Sequence, residues 1–313
     1  MRALADGWGL PAGTLSYAAV GGGSYHWVAV ADQREQWFVT VDDLDGKGWL
    51  GRTRPAVLAG LHAAMDTAVA LRDQAGLGFV VAPVPALDGQ TVRPLGDRHA
   101  VAVFPFLPGT PGRWDEGLPA PDRAELVAML AALHRADPAV PLRRPGFGLS
   151  WRDALEAALR ELGRPWTGGP FAEPARALLA GAAGQVRGGL DTLDRWAGAP
   201  AGEIVITHGE PHPGNVIRAP GGALLLIDWD TVALAPPERD LWMVATETGD
   251  ELRRYTELTG RTVDAAVLEL YRLRWALDDI SCFVRGLRAP HRRTPGTEHA
   301  WRSLEISIAQ VVQ

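Results

Sequence analysis

The sequence predicts an α+β chain in two parts, a small N-terminal part built on antiparallel strands and a larger, mostly helical C-terminal part. Three observations carry this expectation. Residues 14 to 41 fall into three short apolar-alternating runs separated by glycine-rich or polar turns, the pattern of an antiparallel meander. A proline- and glycine-rich stretch from Phe104 to Pro121 then interrupts the chain. Beyond it, apolar residues recur mostly at helical spacing.

The elements follow in order. Strands are expected over Leu15 to Val20, Tyr25 to Ala31 and Gln36 to Val41, joined by Gly21-Gly22-Gly23-Ser24 and by the polar turn Asp32 to Glu35. A glycine run between strands lets backbone amides approach phosphates, and it serves a plain hairpin equally well. Residues 54 to 76 read as a helix whose apolar face is Val57, Leu58, Leu61, Met65, Ala68, Val69 and Leu71. The runs 78 to 85 and 98 to 104 read as strands completing the small part, with a turn over Leu87 to Gln90. The boundary is expected near Phe104, giving parts of 1–103 and 104–313. Helices are then expected over 121–136, 150–163 and 171–196, the last carrying Gly181, Gly184, Gly188 and Gly189 and so prone to a break. Pro236 and Pro237 precede the first turn of another helix, and three more cover 250–258, 264–287 and 298–312.

Composition narrows the function classes. A chain of 313 residues can bury two cores, and its net charge of −6 with no basic block argues against a nucleic-acid partner. Cys282 is the single cysteine, which excludes an intrachain disulfide and fits a reducing cytoplasm. No stretch joins a basic start to a long apolar run as a signal peptide does, and none has transmembrane length, so no membrane partner is expected. Lys47 is the only lysine, every other fixed cation being arginine.

Residues 204 to 230 hold the chemistry. The β-branched run Ile204 to Thr207 enters a loop of His, Gly, Glu, Pro and Asn. A second apolar strand, Ala223 to Ile227, returns after Pro220-Gly221-Gly222 and delivers Asp228 and Asp230. Glu210, Asn215, Asp228 and Asp230 therefore converge on one rim. Hard oxygen ligands such as Asn215 and Asp228 suit Mg²⁺, and a carboxylate such as Glu210 can take a hydroxyl proton, which together serve phosphoryl transfer. Two other readings stand beside this one. The unit can be an ordinary hairpin with a solvated rim. His208, Glu210 and His212 can also be zinc ligands, although two prolines fix the backbone there, no cysteine lies near, and the paired aspartates then have no role.

The block His208-Gly209-Glu210-Pro211-His212-Pro213-Gly214-Asn215, followed by Ile227-Asp228-Trp229-Asp230, resembles the catalytic and metal motifs of the aminoglycoside phosphotransferase family, HGDxxxxN and DxD. That family has a fold similar to protein kinases. The resemblance implies a two-lobed α+β protein-kinase-like fold, with a nucleotide-binding N-terminal lobe (1–103) and a C-terminal lobe (104–313) for catalysis and acceptor binding. Asn215 and Asp228 match the metal positions, with Asp230 in support. His208 matches the motif histidine, mainly structural in the family, and Glu210 stands where the family has Asp. Gly22, Gly23 and Ser24 match the loop that covers the nucleotide, and Phe104 and Phe106 the hinge beside the adenine. Thr40 occupies the position of the family's phosphate-binding strand lysine. Threonine is short and uncharged and cannot stand in for an ammonium, so Lys47, Arg52 or Arg54 in the following loop are the cations that can reach in. Asp66, the acid that would pair with the strand lysine, is expected to be solvated. His134 is expected to be structural, and Asp240 either supports the catalytic loop or faces its own helix dipole.

The resemblance thus implies an O-phosphotransferase that uses ATP or GTP with Mg²⁺ and acts on a hydroxyl of a small, cationic molecule. An aminoglycoside, aminocyclitol or basic peptide antibiotic is the natural acceptor, which would make the chain an antibiotic-resistance enzyme; kinases of the same fold also act on choline, homoserine and sugars. Glu247, Asp278 and Asp279, with Asp250 and Glu251 nearby in sequence, supply acid for a cationic acceptor, and Trp275, with Trp242 and Trp301, supplies a wall. The competing reading is a catalytically impaired kinase-like protein that binds a ligand, suggested by Thr40 and Glu210 and opposed by the retained set Asn215, Asp228 and Asp230. A monomer or homodimer is expected.

Overall fold

The computed structural model describes residues 1–10, 13–21, 23–31, 35–109, 111–113, 116–197 and 202–312. The chain forms two compact units, Met1–Arg144 with Gly202–Val263, and Pro145–Ala201 with Asp264–Gln313. Gly22 and the turn residues Asp32 to Arg34 lie outside the described residues.

The first unit opens with a helix the sequence did not announce, α1 (Arg2–Trp8), too short for its periodicity to register. Its Leu4 and Trp8 pack with Ala29, Val39, Val101 and Val103, and Trp8 Nε1 donates to the Val84 carbonyl at 2.8 Å. The meander follows as β1 (Thr14–Ala18), β2 (Ser24–Val30) and β3 (Gln36–Asp43). Helix α2 (Arg54–Asp73) begins at Thr53, whose side chain accepts from Ala56 N–H, with Pro55 in the first turn. Its apolar stripe, Val57, Leu61 and Met65, packs with Leu44, Leu50, Ala100 and Ala102, each large side chain contributing about 1.5–3 kcal/mol on burial. Strands β4 (Arg93–Leu95) and β5 (His99–Pro105) complete a five-stranded antiparallel sheet of order β1-β2-β3-β5-β4.

The run 78–85 corrects the sequence reading, for it is not a strand of this sheet. Pro83 and Pro85 carry no N–H for a ladder. Ahead of them the backbone pairs elsewhere: Val81 N–H donates to Leu226 O at 3.1 Å, and Leu226 N–H to Phe79 O at 2.8 Å. The run therefore ties the small sheet to the segment that carries Asp228.

Helix α3 (Ala120–Leu133) buries Leu126, Val127, Leu130 and Leu133. In the second unit, α4 (Arg152–Arg160) precedes α5 (Ala172–Gly181) and α6 (Ala183–Trp196). The glycine-bearing helix is thus broken, at Gly181-Ala182. The chain then returns to the first unit through β6 (Val205–Thr207), β7 (Val216–Arg218), β8 (Leu224–Leu226), β9 (Ala233–Ala235), α7 (Glu238–Val244) and α8 (Asp250–Thr259). The two expected strands of the segment 204–230 do not share a ladder. β6 pairs with β9 and β7 with β8, both antiparallel, and the partners β7 and β9 are too short to read from periodicity. Helices α9 (Ala265–Arg288) and α10 (Pro295–Val312) close the second unit, where Leu277, Ile280, Val284 and Leu304 pack with Leu155 and Leu190. No helix among the described residues is long and apolar enough to cross a membrane.

Candidate active site

The loop after β6 is held by one carboxylate. Asp240, in the first turn of α7 and fully buried, accepts from His208 N–H at 2.8 Å and from Gly209 N–H at 2.6 Å. It also lies 3.0 Å from His134 Nε2, whose Nδ1 is 2.8 Å from the Tyr255 hydroxyl. Burial alone would push Asp240 up, but the hydrogen bond and charge of His134, with Arg239, outweigh it and hold the carboxyl below its ordinary value. Asp240 is therefore a brace for the loop, and His134 a structural partner of that brace. Gly209 sits at φ +101°, where an added Cβ would meet the Arg239 guanidinium at 2.2 Å, so no side chain fits.

His208 has a fixed tautomer. Its Nδ1 accepts from Glu210 N–H at 3.2 Å, so Nε2 carries the proton donated to Ile227 O at 2.9 Å. Burial pushes the imidazole down to about 4, so it is neutral at physiological pH. Both ring nitrogens are used, which removes the zinc reading and leaves His208 a structural part. Its carbonyl also accepts from Thr231 Oγ1 at 2.7 Å, joining the loop to the aspartate turn.

The acids converge as the sequence led one to expect. Asn215 Nδ2 donates to Glu210 O at 2.9 Å, and Ile227 N–H donates to Asn215 O at 3.0 Å, placing the two halves of the motif side by side. Asp228 follows at φ 65°, ψ 66°, the one non-glycine residue with positive φ among the described residues. Such strain is held at functional sites by surrounding packing, here by buried Trp229, whose indole donates to Leu226 O at 2.8 Å. Asp230 is buried in the next turn. Burial, then the charges of Asp228 and Asp230, push the Glu210 carboxyl up to about 8. The surrounding protein and the Asp230 carboxylate push Asp228 up as well, with Lys47 pulling it back.

The donor set fits a hard divalent cation. The amide nitrogen of Asn215 is already engaged, which leaves its oxygen, and Asp228 adds a carboxylate with open surface. Mg²⁺ binds to one or two such groups together with substrate phosphates rather than to an all-protein cage. Among the described residues no group of three or more His, Cys, Asp and Glu side chains forms such a cage.

Thr40 lies on β3 between His26 of β2 and Ala102 of β5, its hydroxyl 3.3 Å from His26 Nδ1. Ser24 opens β2 and donates to Asp42 Oδ1 at 2.6 Å. Gly23 is exposed at φ +83°. Phe104 pairs with Phe38 across β5 and β3, and Phe106 lies just past the strand, both half-buried. Lys47 is 4% exposed, its Nζ 2.6 Å from Asp230 Oδ2 and 3.0 Å from Asp42 Oδ1. Arg54 pairs with Asp45 at 2.7 Å on the surface, and Arg52 is exposed. Asp66 is exposed and accepts from Thr91 Oγ1 at 2.6 Å. Asp42, Arg143 and Tyr255 are members of the site that sequence reasoning missed; only contacts distant along the chain reveal them.

Asp278, Asp279 and Trp275, three of the expected acceptor residues, have protein partners. In the second unit Asp278 accepts from Ser150 N–H at 2.7 Å and Oγ at 3.1 Å. Asp279, bonded by Ser307 Oγ at 3.2 Å and by the Trp275 side chain, is pushed up to about 7 by burial. Glu247, in the first unit, is exposed.

Comparison with known proteins identifies the family and the fold. The model of the Phosphotransferase enzyme family (APH) matches residues 26–288. Protein StrN of Streptomyces griseus is 30% identical over 257 residues, covering 75% of this chain and 73% of StrN. The crystal structure of spectinomycin phosphotransferase APH(9)-Ia with ADP and spectinomycin superposes with a TM-score of 0.74 at 16% identity, over 99% of this chain and 96% of that one. A microcompartment-associated aminopropanol kinase superposes at 0.61 and 17% identity, over 99% and 95%. At these identities the structural likeness establishes the fold, a kinase-like one.

Proposed function

We propose that this chain, which belongs to the phosphotransferase enzyme family and is a small-molecule kinase, transfers the terminal phosphoryl group of ATP or GTP to a hydroxyl of a small cationic acceptor in an Mg²⁺-dependent reaction. The observation that carries the reading is the convergence of Glu210, Asn215, Asp228 and Asp230 on a loop braced by Asp240.

Asn215, through its amide oxygen, and Asp228 would hold the metal, with Asp230 beside them. Mg²⁺, when bound, would supply charge neutralisation on the nucleotide phosphates. The steps assigned to the chain are these. Glu210 orients the acceptor hydroxyl and takes its proton; the freed oxygen bonds to the terminal phosphorus as the bond to the bridging oxygen breaks, and the nucleoside diphosphate leaves. In the metal-free protein the carboxyl is raised to about 8, mainly by burial, which makes it a stronger proton acceptor than a solvated glutamate. Glutamate is one methylene longer than aspartate, so either its carboxylate retracts or the acceptor sits farther from the backbone than an aspartate would set it. The transition state is loose, and positioning dominates the rate.

Residues 1–103, with Gly22, Gly23, Ser24 and Thr40 within them and Phe104 and Phe106 just beyond, are the proposed nucleotide-binding part, and 104–313 the catalytic and acceptor part. Asp279 with Trp275, Asp278 and Glu247 are the proposed acceptor residues. The spectinomycin enzyme and the aminopropanol kinase suggest aminocyclitols and amino alcohols as the first acceptors to try. Antibiotic modification in the cytoplasm is the biological role this supports. The impaired-kinase reading loses ground because Glu210 keeps a carboxylate at the base position and Lys47 lies among the acids.

The test is acceptor-dependent release of ADP or GDP across a panel of cationic alcohols, with Asp228→Ala as control. Turnover with at least one acceptor, reduced at least about 100-fold in the variant, is expected. Full activity of Asp228→Ala would sink the mechanism.

A further inference from the structure

We propose that Lys47 supplies, from the loop after β3, the ammonium that β3 itself lacks at Thr40, and is the cation that meets the nucleotide phosphates. The inference rests on the phosphotransfer reading above.

Lys47 is the sole lysine of the chain, yet it is almost fully buried between two carboxylates, Asp42 at the end of β3 and Asp230 beside Asp228. A buried ion pair is a weak source of stability, because desolvation offsets the attraction. Burying the one ammonium at this point is better explained by a task. An ammonium has three N–H donors, and the two carboxylates take two, leaving one for a phosphate oxygen. Asp42 also accepts from Ser24, so the end of the glycine turn and the ammonium meet on one carboxylate. Of the two arginines that follow in the loop, Arg54 is paired with Asp45 and Arg52 is exposed to solvent.

The loop that carries Lys47 is built to hold it. Leu44 and Leu50 bury against α2 on either side of it. Leu44 N–H donates to Arg98 O at 2.9 Å and Leu50 N–H to Lys47 O at 3.0 Å. Arg143 spans the site, donating to Trp49 O at 3.0 Å and to Asp230 O at 3.1 Å, and so fixes the loop against the aspartate turn. The Trp49 ring lies 5.1 Å from Nζ. Asp42 and Asp230 are positioning residues for the ammonium, which leaves the metal to Asn215 and Asp228.

The test compares binding of Mg·ATP, Mg·GTP and adenosine to the full-length wild type, Lys47→Met and Thr40→Lys/Lys47→Met. We expect Lys47→Met to weaken the wild type's preferred triphosphate on the order of tenfold or more while adenosine binding is unchanged. Restoring the ammonium on the strand in the double variant should recover much of the loss. A merely structural lysine would move adenosine and triphosphate together and would not be rescued from Thr40, and either result overturns the inference. So does triphosphate binding within twofold of wild type. If Lys47→Met does not fold, Asp42→Asn/Lys47→Met, which removes one buried charge of each sign, carries the same comparison. A wild type that binds no Mg-nucleotide defeats the phosphotransfer reading itself, an outcome distinct from a wild type that binds and a variant that binds equally.

Discussion

Asp240 and Glu210 serve one loop, and their surroundings drive them in opposite directions. Asp240 is held below its ordinary value of 3.8, because His134 and Arg239 outweigh its burial. A depressed carboxyl contributes stability that is complete above the unfolded value and is lost as pH falls through the folded one. Its share is therefore intact at neutral pH and vanishes only in acid below about 4. Asp240→Ala should cost about 3–5 kcal/mol in denaturant unfolding at pH 7, since it strands His134 and two backbone N–H groups. A cost below about 1 kcal/mol would contradict the brace. Glu210 is raised from 4.5 to about 8, so between those values the folded state binds the extra proton. Stability of the nucleotide-free protein should then fall as pH rises through that window. Melting temperatures at pH 5 and 8.5 should differ by about several degrees more in wild type than in Glu210→Gln. Identical slopes in the two proteins would show that Glu210 is not held protonated.

Single elements show where short-range pattern suffices and where it fails. The block 208–215 stands out in the sequence because its glycines, prolines and hard-oxygen side chains make a pattern independent of tertiary packing. The broken helix at Gly181 was legible for the same local reason. The strands Val216–Arg218 and Ala233–Ala235 were not, since three residues carry no period, and residues 78–85 misled because their β-branched side chains say strand while their prolines and their pairing with Leu226 say otherwise. Lys47 was visible as the lone lysine; its reach depends on Leu44 and Leu50 packing against α2, which no local pattern shows. Gly60 of α2 tests that packing. A Cβ there would lie 2.6 Å from Leu50 O. In an open helix Gly→Ala stabilises by about 1 kcal/mol. Here Gly60→Ala should destabilise by about 1–3 kcal/mol through overpacking and weaken nucleotide binding, with helical circular dichroism retained. A gain in the urea midpoint would show that the loop does not press on the helix.

At the scale of the whole molecule, the family match covers residues 26–288 and the fold is kinase-like. The compact units do not follow the chain in simple halves, since 202–263, with the candidate catalytic loop, belong with the N-terminal sheet. Lys47 and Asp230, far apart in the chain, are both in this unit and pair within it. One measurement reads the proposed nucleotide response directly: calorimetric titration of the wild-type protein with ATP and with GTP, with and without Mg²⁺. Saturable binding of at least one nucleotide that strengthens with the metal is the predicted result. A folded sample that binds neither nucleotide, or binds with no response to Mg²⁺, would contradict it.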